Sequence, residues 1–213
     1  MQFEHGSGFA SKVAGMTLAV GKHVNRARRF GIRLKRNDDG ATAVEFGLIA
    51  LPFFAMLFGV LSVCQLFFWT FTMENAVWTA SRDMRTGTFQ TAASGSPYAG
   101  LTGDALKTAF RQQICNKSVN ATDCFNNSVV LVQSNATFAS ITQPNCKNNS
   151  NGLVSDTSAM AAFDAGAASS VVLVTICYGW KFGAKLPFLS LAQMSDGSFL
   201  IQASAAFRTE PYN

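Results

Sequence analysis

Residues 40–73 read GATAVEFGLIALPFFAMLFGVLSVCQLFFWTFTM. Between Glu45 and Glu74 there is no Lys, Arg, Asp or Glu, so residues 46–73 form a charge-free apolar run of 28 residues. As a helix that run would reach about 42 Å at about 1.5 Å per residue, against a hydrocarbon core of about 30 Å. It therefore predicts a membrane span, tilted or with one end in the headgroups. The rival is a core helix of a soluble protein, but such helices usually carry a polar stripe or run shorter.

Glu45 is the odd residue, one turn inside the apolar run and close behind Gly40. An ionisable group at full depth in a bilayer costs about 2.5 kcal/mol or more, so Glu45 either snorkels to the interface or has a task. The residues alone leave both open.

Gly40-Ala41-Thr42-Ala43-Val44-Glu45-Phe46, followed by a long apolar helix, resembles the processing site of type IVb prepilins of the Flp kind. Onward through Arg82 the stretch resembles the TadE family of pilin-like proteins (pseudopilins) of the tight-adherence system. The resemblance implies a processing site at Gly40, Ala41, Glu45 and Phe46. A membrane prepilin peptidase would cut after Gly40, leaving Glu45 as the fifth residue of the mature chain with Phe46 beside it. It further implies a minor subunit or assembly protein of a tight-adherence (Flp) pilus or secretion machine, acting in adhesion or secretion by association. The implied partners are the prepilin peptidase, the major pilin, other pilin-like subunits and an inner-membrane assembly platform, besides the lipid bilayer.

The chain has 213 residues, 48% hydrophobic and 14% charged, which suits one anchor and one modest domain rather than a two-domain enzyme. Its net charge of +5 lies wholly in residues 1–40. There Lys12, Lys22, Arg26, Arg28, Arg29, Arg33, Lys35 and Arg36 face only Glu4, Asp38 and Asp39, while the remainder is balanced. Basicity confined to the flank of a span sets orientation and argues against a nucleic-acid partner. It places the N-terminus in the cytoplasm and the bulk of the protein outside, and the resemblance implies that this is a single-pass protein of the inner membrane with its C-terminal domain in the periplasm. The expected organisation is a cytoplasmic basic leader at 1–40, a transmembrane helix at 41–73, an extramembrane continuation of that helix at 74–95, and a periplasmic α+β domain at 96–213.

The leader has its cleavage candidate before the apolar run, the reverse of a secretory signal. Val20, Val24, Ala27 and Phe30 could form a weak amphipathic helix on anionic lipid, although disorder fits the composition better. Pro52 predicts a helix kink. Gly47 and Gly59 offer flat spots for helix contacts. Cys64 reads as a small buried residue without a partner. Beyond the run, Met73, Ala76, Val77, Ala80 and Met84 make one helical stripe, with Glu74, Asn75, Ser81, Arg82 and Arg85 elsewhere. Gly87 is the first stop signal, and Thr91–Gly100 is a loop by composition.

In the outer domain, Leu101–Asn116 reads as a helix capped by Thr102 or Asp104. Ser128–Gln133 and Ser170–Trp180 read as buried strands, and Asp156–Asp164 as a short helix closed by Gly166. Phe199, Ile201, Ala203, Ala205 and Phe207 alternate with polar residues, as in an edge or half-buried antiparallel strand. The fold class is α+β and pilin-like: a long N-terminal helix joined to a helix on a small antiparallel sheet.

Cys115, Cys124, Cys146 and Cys177 lie past the span, and an even count in an oxidising compartment predicts two disulfides. Of the three connectivities we favour Cys115–Cys124, closing a short polar loop, and Cys146–Cys177, pinning the Asn-rich loop to a strand. Zinc is the rival, but no pair has CxxC spacing and no His is near. Both histidines, His5 and His23, lie in the leader, so Ser-His-Asp and Cys-His chemistry and histidine metal sites are excluded from the mature part. Asp104, Asp123, Asp156, Asp164 and Asp196 show no acid/base spacing and read as loop and cap residues. No catalytic residue, metal site or cofactor is expected. The functional alternative is an uncleaved single-pass membrane-anchored periplasmic binding or adhesion module.

Overall fold

The computed structural model describes residues 40–161, 163–181 and 191–212. The leader with its amphipathic patch and both histidines therefore lies outside the described residues, Gly40 excepted. The chain divides into two compact units, Met1–Met56 and Leu57–Asn213. Helix α1, Ala41–Arg85, crosses that boundary without interruption in its secondary structure.

Polar side chains inside α1 satisfy themselves on its own backbone. Ser62 Oγ donates to the carbonyl of Phe58 at 2.6 Å, Thr70 Oγ1 to Leu66 at 2.9 Å and Thr72 Oγ1 to Phe68 at 2.7 Å. Each hydroxyl reaches one turn back and so needs no water. Pro52 sits within the helix, where its ring removes the amide hydrogen that the carbonyl of Leu48 would otherwise accept.

In the second unit α1 becomes part of the core. Met73, Ala76, Val77 and Met84 are fully buried and Ala80 nearly so, which is the stripe read from the sequence. The three-stranded antiparallel sheet they cover has the order β1-β2-β3, with β1 at Ser128–Asn135, β2 at Val171–Trp180 and β3 at Phe199–Arg208. Ser128 pairs with Tyr178 and Asn135 with Val171, while Trp180 pairs with Phe199 and Val171 with Arg208. Central β2 is buried at all ten positions because both faces are covered. Val172, Val174, Ile176, Tyr178 and Trp180 face the cluster containing α1, together with Phe110 and Ile114 of α2 (Gly103–Asn116). On the other face Cys177 meets Val129, Leu131, Cys146 and Ala159. Edge strand β3 alternates as its sequence does, burying Ile201, Ala203, Ala205 and Phe207.

Several boundaries differ from the sequence reading. The helix expected to continue over 74–95 ends at Arg85, and residues 86–100 are turns. Gly87 is responsible: its φ of +80° reverses the chain at little cost only without a Cβ. The amide of Phe89 then returns to the carbonyl of Asp83 at 3.0 Å. The exposed carbonyl of Arg85 accepts the amide of Glu210 at 2.8 Å, and the Arg85 guanidinium pairs with the Glu210 carboxylate at 3.2 Å. Thr102 holds the N-cap position of α2 with no side-chain cap bond. A helix not anticipated, α3 at Ala121–Asn127, is capped by Asn120, whose side chain accepts from the amide of Asp123 at 3.1 Å. The short helix α4 covers Asp156–Ala161.

Candidate functional site

Gly40 lies in a 3-10 turn directly before α1, and residues 41, 45 and 46 fall on the first turns of the helix. Helical geometry sets residue 45 one turn above residue 41. Phe46 is 71% exposed, and Glu45 is exposed as well. A Cβ built on Gly40, Gly47 or Gly59 would meet nothing within 4 Å, so these glycines are not demanded by packing within this chain. Exposed large apolar residues continue from Val44 through Phe54, Phe58 and Val63 to Phe71. A helix long and apolar enough to cross a membrane is present, and its apolar window is almost wholly uncovered. That much exposed apolar surface is incompatible with water and fits hydrocarbon or apolar partner helices. Cys64, expected to be buried, is a free thiol on this exposed surface.

The cysteines outside the run are joined as Cys115–Cys124 and Cys146–Cys177, with Cα–Cα distances of 5.5 and 5.6 Å. The first ties α2 to α3, and the second ties the Asn-rich loop to β2.

Asp83 and several of the carboxylates read as loop and cap residues hold parts of the domain together. Tyr98 Oη donates to Asp83 Oδ2 at 2.8 Å, and Tyr178 Oη donates to Asp123 Oδ2. Burial, reinforced by the adjacent carboxylate, pushes both phenols well above their ordinary range, so they stay protonated donors. Arg111 pairs with Asp156 at 2.8 Å while its guanidinium lies 4.2 Å from the centroid of the Phe125 ring. Asp164 accepts from Ser134 Oγ at 2.5 Å. Ser198 donates to Asp196 from Oγ at 2.6 Å and from its amide at 3.0 Å. These bonds, with a smaller contribution from Lys181, hold the Asp196 carboxyl below its usual value. Among the described residues no group of three His, Cys, Asp or Glu side chains is placed to hold a metal ion.

At one end of the sheet, Trp69 of α1 stacks on Tyr178 at 5.9 Å and lies 6.3 Å from Trp180. Beside them is a cavity of about 530 Å³ lined by Gln65, Phe68, Trp69, Asn120, Asp123, Tyr178, Trp180 and Lys181.

The long exposed apolar helix, beginning at the Gly40 turn, coincides with the stretch that a known family matches. Residues 40–82 are TadE-like. They match the family model described as TadE-like protein, and amount to about a fifth of the chain. The TadE-like segment thus covers the start of α1, the whole apolar run and most of the buried stripe. The family so described is associated with the tight-adherence pilus. No curated protein and no solved structure matches the chain.

Proposed function

We propose that this chain is a pilin-like minor subunit or assembly protein of a tight-adherence pilus or secretion machine, made as a precursor, cut after Gly40 and acting through subunit association. The observation that carries the reading is the coincidence, among the described residues, of three boundaries within about one turn of helix. The family match begins at residue 40, the helix begins at Ala41, and the exposed apolar surface begins within its first turn. The protein sits in the inner membrane as a single-pass protein, its N-terminus cytoplasmic before cleavage and its disulfide-bonded domain periplasmic. Its partners are the prepilin peptidase, the major pilin, other pilin-like subunits and the assembly platform. Cleavage creates an ammonium group at Ala41, one turn from the Glu45 carboxylate. Glu45 can neutralise its own N-terminus or that of a neighbouring helix, and the second pairing fixes the axial register of packed subunits.

The test is the N-terminal residue of the protein purified from membranes of peptidase-competent and peptidase-deficient cells. Ala41 in the first and an intact leader in the second is the expected result. An intact leader in both refutes processing and leaves an uncleaved anchored module.

A further inference from the structure

We infer that the cavity beside Trp69 seats the headgroup of a zwitterionic phospholipid carrying a primary ammonium, with Asp123 taking the ammonium and Lys181 the phosphate. The inference rests on α1 spanning a bilayer, but not on cleavage after Gly40.

Depth is the first argument. About 20 residues of helix at about 1.5 Å each cover a hydrocarbon core of about 30 Å. Counted from Glu45, the ionisable residue that bounds the run, that length ends at Gln65, which lines the cavity. Packing changes at the same level. Leu66 and Trp69 are the first α1 residues to pack against the core of the domain, and by Met73 the stripe is fully buried. The cavity therefore opens where acyl chains give way to headgroups.

The second argument is composition. Phe68, Trp69, Tyr178 and Trp180 make apolar walls, and tryptophan and tyrosine are the residues that favour the interfacial layer. The same cavity holds charges of both signs, the Asp123 carboxylate and the exposed Lys181 ammonium. Asp123 is fixed by bonds from Tyr178 Oη and from Asn127 Nδ2 at 2.9 Å, so its charge is held in place before any ligand arrives. Asp196, within electrostatic reach of Lys181, is already engaged by Ser198. Among the described residues the lining carries one anion and one cation, which complement a headgroup with one of each. It disfavours an anionic headgroup, which Asp123 repels, and a bulky quaternary ammonium cannot donate hydrogen bonds to a carboxylate. The volume lies in the range of small-ligand sites.

The test uses the full chain, delipidated in non-ionic detergent and titrated with short-chain phosphatidylethanolamine, phosphatidylglycerol and phosphatidylcholine. Tryptophan fluorescence and native mass spectrometry are the readouts. One phosphatidylethanolamine should bind saturably, in preference to the other two. Lys181→Ala should weaken it about tenfold, the loss of one charge-assisted contact, while Arg208→Ala, an exposed site paired with Val171 at the opposite end of β2 from Trp180, leaves it unchanged. Asp123→Asn should abolish the preference over phosphatidylglycerol, with folding checked by retention of both disulfides. Equal binding of all three lipids, preference for phosphatidylglycerol, or no saturable binding overturns the proposal. Carbonate extraction of the same protein from membranes reports the anchor separately, so a failed headgroup site is distinguishable from a failed span.

Discussion

The two disulfides should contribute unequally to stability, and the difference can be worked out. Replacing Cys146 and Cys177 together by alanine opens a link across a sequence separation of 31 residues, whereas the same change at Cys115 and Cys124 opens one of 9. Loop-closure entropy grows as the logarithm of loop length, which gives about 3.7 kcal/mol for the longer loop and about 2.6 kcal/mol for the shorter at 25 °C. Packing adds to the difference in the same direction. Cys115 and Cys124 join α2 and α3, neighbours in sequence that already contact each other. Cys146 joins the long loop between β1 and β2 to the sheet within the smaller cluster, where Val129, Leu131, Ala159 and Cys177 are buried and Leu153, Val154 and Leu200 pack against them. Guanidinium unfolding of the full chain in micelles, followed by tryptophan fluorescence, should show the Cys146/Cys177 double variant less stable than the Cys115/Cys124 variant by about 1 kcal/mol or more. Equal losses, the reverse order, or a domain as stable without either pair would refute the reasoning.

Three further outcomes follow from particular residues. Glu45→Gln keeps shape and hydrogen bonding but removes the charge. An ion pair at 4 Å is worth about 4 kcal/mol at an effective dielectric of about 20, so the variant should be inserted and cut yet fail to co-purify pilin-like partners; capture at the wild-type level would remove the assembly role. Tyr98 and Tyr178 have folded-state values raised above the ordinary phenol, so their stabilisation is complete below about pH 10 and is lost as pH rises above it. Above that point each contributes up to about 1.4 kcal/mol of loss per pH unit, and the loss of stability of Tyr98→Phe between neutral and alkaline pH should be smaller than that of the parent. Gly87→Ala adds a Cβ at φ +80°, 2.5 Å from the Tyr212 ring, and should cost about 1–2 kcal/mol or more in the same unfolding assay, with a value near zero counting against the turn as described.

What the sequence made legible was whatever depends on periodicity. The stripe from Met73 to Met84 and the alternation from Phe199 to Phe207 are local patterns, and each maps directly onto a buried face. Ser81 broke the rule: a serine beside the stripe reads as outward, yet it is 2% exposed and its hydroxyl has no hydrogen-bond partner among the described residues. Tyr98 was hidden in a stretch whose Gly, Ser and Pro content said only loop. Its burial depends on Phe89, Phe110 and Asp83, which the fold brings in from elsewhere. The lone aromatic in that polar run was the available signal. Helix α3 was missed because seven residues carry too little periodicity, although Asn120 three residues ahead of Asp123 is a capping pattern. The cavity beside Trp69 could not be read from sequence, since its lining comes from α1, α3 and the end of β2, up to 116 positions apart.

The clamp between Arg85 and Glu210, and the cluster in which Met73 and Met84 lie with Ile201 and Phe207, have a consequence in time. During synthesis α1 is the first described element to emerge and β3 is the last. The buried stripe of α1 cannot be fully covered, nor its last carbonyl satisfied, until residues 199–210 have arrived. Every intermediate length of chain therefore carries an uncovered apolar helix and a sheet lacking its edge, the kind of species that aggregates or recruits chaperones. The domain matures only once residues 199–210 have emerged, and a chain stopped near Gln193 should be degraded rather than accumulate as a smaller folded form.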